Sequence, residues 1–146
     1  MSLEIESTGP ASLDPNAEQS MVPMRDGTRL ATDFYLPPHP GRHPAVLVRL
    51  PYDKCGRYTF MPLLASCFTE RGYAFVAQDV RGKFRSEGAT MPYISEVTDG
   101  YDTLEWVATR SWSNGRVGMF GDSYYRFTRW AALASATRRS LPSCRG

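Results

Sequence analysis

The sequence predicts an α/β fold, with an N-terminal antiparallel hairpin followed by parallel strands with flanking helices. Three observations predict it. The dipeptide Asp26-Gly27, a strong hairpin turn, separates two short segments of strand character. Two nearly continuous apolar runs, Ala45-Val46-Leu47-Val48-Arg49-Leu50 and Tyr73-Ala74-Phe75-Val76-Ala77, resemble strands buried on both faces of a parallel sheet. Between them lies a stretch with helical spacing, which completes a strand–helix–strand unit.

Taken in order, residues 1–18 mix Ser, Pro, Gly, Asn and Glu without periodicity and are expected to form a flexible leader. The first strand covers Ser20 to Arg25. The second runs from Thr28, with Leu30, Thr32, Phe34 and Leu36 alternating, until Pro37 and Pro38 end it. Pro51 ends the first parallel strand. A helix from about Pro62 carries Leu64, Cys67, Phe68 and Arg71 on one face, with Gly72 as its C-terminal cap. After the second parallel strand, Val97, Tyr101, Leu104 and Ala108 mark one face of another helix. Glu96, Asp99 and Asp102 sit near its start, where the helix dipole favours acids. Ser113-Asn114-Gly115 turns the chain into a third parallel strand, Arg116 to Phe120. A last helix from about Ser123 presents Phe127, Trp130, Ala131 and Ala134, and an irregular basic tail occupies 137–146.

The composition narrows the classes of function. At 146 residues and 42% hydrophobic content, the chain is one domain or part of one. No stretch approaches the roughly 18 apolar residues of a membrane span, so a soluble, cytoplasmic protein with no membrane partner is expected. Cys55, Cys67 and Cys144 are an odd set without Cys-x-x-Cys spacing and are expected to be reduced thiols, with no metal site. The net charge of +2 is uneven: residues 1–125 hold 12 basic against all 15 acidic side chains, and residues 126–146 hold five arginines and no acid. Those arginines are not interleaved with aromatics on a defined element, so no nucleic-acid partner is expected. Gly115, Gly118 and Gly121 recur every third residue but match neither a dinucleotide fingerprint nor a phosphate loop.

The chemistry-bearing segment is Gly121-Asp122-Ser123-Tyr124-Tyr125, directly after the third apolar strand. A strand that turns abruptly through Gly-x-Ser into a helix projects the serine hydroxyl from the carboxyl end of the sheet, with the next backbone N–H aimed at a developing oxyanion. Taken alone, a Gly-x-Ser favours the simpler reading of Ser123 as the N-cap of the last helix. Tyr52, just past the first parallel strand, likewise reads by itself as a rim aromatic. Asp79 and Arg81 are expected to tie down their loop as a charge-assisted pair without a catalytic part.

Several segments in order resemble the Xaa-Pro dipeptidyl-peptidase and cocaine-esterase family of α/β-hydrolases. They are Val22 to Leu30, Leu47 to Lys54, Gln78 to Gly82 with Ser86-Glu87-Gly88, Trp112 to Gly121, and Ser123-Tyr124. The resemblance runs from about Ser20 to Ala134, and makes residues 19–136 the N-terminal portion of a catalytic domain with an incomplete α/β-hydrolase fold. It implies a serine hydrolase acting on ester or amide bonds, Xaa-Pro peptides among them, through an acyl-serine intermediate and without a cofactor. By matching position, Ser123 is its nucleophile, and the Tyr124 backbone N–H and Tyr52 hydroxyl are its oxyanion donors. The implied partner is a small-molecule ester, amide or peptide substrate.

The sequence departs from the family pattern at three points. After Ser123 there is no Asp, Glu or His, and His39 and His43 both precede the first parallel strand. His43 is expected about 20 Å from the catalytic edge, at ~3.3 Å per strand residue. Arg126 stands where the family has glycine, and the strand Val117 to Phe120 lacks neighbours beyond it, an edge open to self-association. These features lead to the expectation of a truncated chain, arising by a frame change or early stop, with little activity alone. The alternative is an inactive remnant or an interaction module that pairs through its sheet edge.

Overall fold

The hairpin forms where the turn chemistry places it. In the computed structural model, which describes residues 14–50, 54, 59–89 and 95–119, β1 (Glu18–Pro23) pairs antiparallel with β2 (Arg29–Tyr35), Val22 opposite Leu30. The Met24 N–H donates to the Thr28 carbonyl at 2.8 Å, and the Gly27 N–H donates to the Met24 carbonyl. Gly27 has φ 84°, a left-handed conformation that a residue with a Cβ enters only at a cost. The Asp26 carboxylate accepts the Thr28 N–H at 3.0 Å. Alternation along β2 does not produce one wet face. Leu30, Ala31, Thr32 and Asp33 are all buried, because β2 lies between β1 and β4, while Leu36 falls beyond the strand and is exposed.

The remaining elements are β3 (His43–Leu50), α1 (Met61–Thr69), β4 (Ala74–Asp79), α2 (Glu96–Ala108) and β5 (Ser113–Met119). They complete a five-stranded mixed sheet of order β1-β2-β4-β3-β5. β4 runs antiparallel to β2 and parallel to β3, and β5 runs parallel to β3. Pro62 occupies the first turn of α1, where its missing N–H costs nothing. Past the other end, Gly72 at φ 84° lets the Tyr73 N–H reach back to the Phe68 carbonyl.

Alternation along β3 divides the core between two faces. Val46, Val48 and Leu50 join Phe75 and Ala77 against Met61 and Ala65 of α1. Ala45 and Leu47 join Ala74 and Val76 against Val107 of α2, where Phe34 stacks on Trp112 at 5.5 Å and meets the edge of Trp106 at 6.3 Å. The two helices therefore cover opposite faces of the sheet. β5 is the outermost strand of the described sheet on its side. Phe120, the end of that predicted strand, lies outside the described residues, as do the leader through residue 13, the helix from Ser123 and the tail.

The buried stripe of α2 differs from the predicted one. Val97 is exposed and Tyr101, Leu104 and Ala108 are only partly buried, whereas Glu96, Asp99, Gly100, Thr103 and Val107 face inward. The acids near its start are structural. Glu96 pairs with Arg49 of β3 at 2.6 Å, Asp99 with Arg81 at 2.8 Å, and Asp102 with Arg25 at 2.7 Å. Three arginines from three other segments dock this helix, so its inward face is set by charge as well as by apolar spacing.

Candidate active site

The strand order reverses at β3. From β3 the chain passes through α1 to β4 on one side, then through α2 to β5 on the other, with Leu50 opposite Asp79 and Leu47 opposite Met119. In open α/β sheets the crevice outside the carboxyl ends of strands at such a reversal is where ligands bind. The segments carrying Tyr52 and Ser123 follow β3 and β5 in sequence. Tyr52, Ser123 and Tyr124 themselves lie outside the described residues, as does Arg126. The described residues supply the framework on which those segments start.

That framework is unusually polar for a strand edge. Lys54 is fully buried. Its ammonium lies 3.1 Å from Asp79 Oδ2 and 3.4 Å from Asp33 Oδ1, and its backbone N–H donates to Asp79 Oδ1 at 3.2 Å. Gln19 donates to Asp33 from β1. The Ser86 hydroxyl accepts the Ala31 N–H at 2.8 Å and donates to the Asp79 carbonyl. Next to it Glu87 pairs with Arg29 at 2.7 Å. Gly88, at φ 90°, leaves room that a Cβ would fill at 3.0 Å from Arg81 Cγ and 3.1 Å from Thr28 Cγ2. The Ser86-Glu87-Gly88 motif thus fastens the loop after β4 to the start of β2.

Asp79 and Arg81, expected to pair with each other, turn to different partners. Asp79 holds Lys54. Arg81 makes a two-pronged contact with Asp99, at 2.8 and 2.9 Å, and reaches Asp26 and Thr28 in the hairpin turn. Bonding to Asp99, then to Asp26, raises the Arg81 pKa above its ordinary value. The Arg81 guanidinium, with the Thr28 N–H, holds the exposed Asp26 carboxyl down at about 2, against the usual 3.8. A depressed carboxyl contributes stability above its unfolded pKa and loses it as pH falls through its folded one. We therefore expect wild type to exceed Asp26→Asn in urea midpoint at neutral pH by a small, salt-sensitive margin that closes as pH falls from about 4 to about 2. A margin unchanged at pH 2 would remove this ion pair from the account.

His43 lies at the opposite end of the sheet, beside Ser113 at the amino end of β5, with its Nε2–H donating to the His39 carbonyl at 3.0 Å. Both histidines are loop and strand-entry residues, as their sequence positions imply. Among the described residues no group of three or more His, Cys, Asp or Glu could hold a metal ion, and no helix is long and apolar enough to cross a membrane. Sequence reading missed Arg49 and Lys54 as structural charges. The one signal for Arg49 was a cation inside an otherwise apolar strand. Lys54 gave none, because its partners are 21 and 25 residues away.

A mixed sheet with helices on both faces and a reversal of strand order at β3 is an α/β-hydrolase arrangement. Solved structures agree. An α-amino acid ester hydrolase superimposes with a TM-score of 0.71 at 35% identity, over 91% of this chain and 26% of that one. A CocE/NonD family hydrolase from Staphylococcus aureus gives 0.73 at 28% identity, over 81% and 25%. Residues 26–140 match the X-Pro dipeptidyl-peptidase (S15) family, and the chain belongs to it. The cocaine esterase of Rhodococcus sp. (strain MB1 Bresler) is 46% identical over 121 residues, which is 82% of this chain and 21% of that protein. The chain thus spans about a fifth to a quarter of the length of these relatives.

Proposed function

We propose that residues 19–136 are part of the catalytic domain of a serine hydrolase that cleaves ester or amide bonds. Ser123 Oγ attacks the carbonyl carbon, and the Tyr52 hydroxyl and Tyr124 N–H donate to the oxyanion of the tetrahedral intermediate. Collapse expels the alcohol or amine and leaves an acyl-serine, which water then hydrolyses. The observation that carries this reading is the reversal at β3. β3 and β5 are adjacent and parallel, so the segments bearing Tyr52 and Ser123 depart from neighbouring points on one edge. The relatives' names, an α-amino acid ester hydrolase, a cocaine esterase and a putative Xaa-Pro dipeptidyl-peptidase, support esters and Xaa-Pro peptides as the substrate classes. Three cysteines without paired spacing favour a reducing, cytoplasmic location.

We infer that neither histidine is the general base, a reading supported by the place of His43 at the amino end of the sheet, where its Nε2–H donates to the His39 carbonyl. Fluorophosphonate labelling of purified protein tests the proposal. Adduct formation at Ser123, absent in Ser123→Ala and slowed ~10²-fold in Tyr52→Phe by loss of an oxyanion donor, is the expected result. A second reading, an inactive module pairing through β5, is favoured by the outermost place of that strand among the described residues and the exposure of Asn114, Gly115, Arg116 and Gly118. No labelling by a protein with a folded circular-dichroism spectrum, together with concentration-dependent dimers, would support that reading over the first.

A further inference from the structure

We propose that a cavity between the turn before β1, the end of β2 and α1 binds a compact primary ammonium ion, one nitrogen carrying a short carbon chain. The cavity has a volume of about 190 Å³. It is lined by Asp14 and Asn16 of the turn, by Tyr35 and Leu36, and by Pro62, Ser66 and Thr69 along one side of α1. It shares no residue with the framework around Lys54 and Asp79 and is independent of the catalytic reading. The turn is tied to the fold on this side. The Ala17 N–H donates to the Asp14 carbonyl at 3.0 Å, and Ala17 packs on the core cluster that α1 covers. Asp14 Oδ1 accepts the Asn16 N–H at 2.9 Å, and Oδ2 accepts the hydroxyl of buried Tyr35 at 3.0 Å.

The protons of the lining hydroxyls decide the sign of the ligand. Tyr35 gives its proton to Asp14. Ser66 gives its own to the Pro62 carbonyl at 3.2 Å, and Thr69 to the Ala65 carbonyl at 2.8 Å. A hydroxyl has one proton and two lone pairs, so what Ser66 and Thr69 offer a ligand is acceptors. Each Asp14 oxygen keeps a further lone pair beyond the donor it already holds. Among the described residues Asp14 forms no ion pair, so hydrogen bonds alone offset its charge. An anion would meet a carboxylate here, with the Asn16 amide as the side-chain donor. An ammonium brings three N–H donors and no acceptor, the complement of this set. A single water needs roughly 10–15 Å³ of such space, so a bare ion would leave most of the cavity empty, and Leu36 and Pro62 offer apolar contact to carbon.

The test titrates the full chain, isotope-labelled for NMR, with n-propylammonium chloride and follows the amide shifts of Asn16, Tyr35, Leu36, Ser66 and Thr69. Saturable shifts centred on these residues are expected, in the millimolar range that suits so small a ligand. n-Propanol, which lacks the charge, and potassium chloride, which lacks the carbon, should not saturate them at the same concentrations. Asp14→Asn should weaken propylammonium about tenfold or more, the scale of one lost charge-assisted hydrogen bond. Glu105→Gln, which removes the same charge from an exposed position on α2, should leave the affinity as it is. Ser66→Leu, at an exposed helix position, should fill the cavity and abolish the shifts, whether or not Asp14→Asn folds. Equal saturation by potassium chloride or by n-propanol overturns the proposal, and so does the absence of saturable shifts in wild type. Unchanged affinity in folded Asp14→Asn or Ser66→Leu, or equal weakening by Glu105→Gln, overturns it as well.

Discussion

Arg49→Leu is expected to destabilise the fold by about 3–5 kcal/mol, read as a lower urea midpoint at unchanged slope. The Arg49 side chain is wholly buried in β3, and its guanidinium lies 2.6 Å from Glu96 Oε2, itself 5% exposed, at the start of α2. Its Nε–H donates to Gln78 Oε1 at 2.7 Å. Gln78 Nε2 donates onward to Thr32 Oγ1, and the Thr103 hydroxyl meets Gln78 Oε1 at 2.9 Å. Removing the arginine strands the Glu96 carboxylate in low dielectric and takes a donor from Gln78. Against a typical domain stability of roughly 5–15 kcal/mol, that is a large share. Arg49→Leu with Glu96→Leu removes both charges, and is expected to recover most of the loss, because apolar replacement of a buried pair is often neutral. A double variant as unstable as the single one would mean that the hydrogen bonds to Gln78, rather than the stranded charge, set the cost.

Phe75→Ala is expected to cost about 3–5 kcal/mol through lost burial and a residual cavity. Phe75 is fully buried in β4, stacked on Phe68 of α1 at 5.6 Å and tilted against Tyr35 of β2 at 6.2 Å. One ring therefore joins two strands to the helix on their common face. Leu63, 63% exposed on α1, is the internal control. Leu63→Ala should stay within about 0.5 kcal/mol of wild type, as surface changes do. A loss below about 1 kcal/mol for Phe75→Ala would show that the α1 face repacks, contrary to the close contacts described.

What could be read from the sequence was whatever depends on neighbours along the chain. The hairpin was legible because Asp26-Gly27 encodes a turn locally. β3 and β4 were legible because strands buried on both faces need near-continuous apolar side chains, and α1 because Pro62 and Gly72 mark its two ends. The inward face of α2 was not. Its acids are buried because Arg49, Arg81 and Arg25 meet them from elsewhere, and the periodicity of one segment carries no record of that. The same limit hid Lys54, and it misdirected the expected Asp79–Arg81 pair, in which adjacency in sequence suggested a bond that the fold assigns to other partners. Strand order was equally silent, since apolar runs state that a strand is interior and not which strands flank it. At the candidate site, family resemblance gave Ser123, Tyr52 and Tyr124, and the described framework supports that reading through the β3–β5 adjacency rather than through those residues.

The spatial order β1-β2-β4-β3-β5 also sets a timetable for synthesis. The β1–β2 hairpin leaves the ribosome early, yet its inner edge waits for β4, because Tyr35 pairs with Phe75 forty residues later. β3 waits longer on its other side, where Val46 meets Gly118. Ladders that distant in sequence close slowly. Until β4 arrives, a nascent chain carries the buried edges of β2 and β3 uncovered together. The demand on chaperones should thus be greatest between the emergence of Leu50 and that of β4, and drop once Asp79 has emerged.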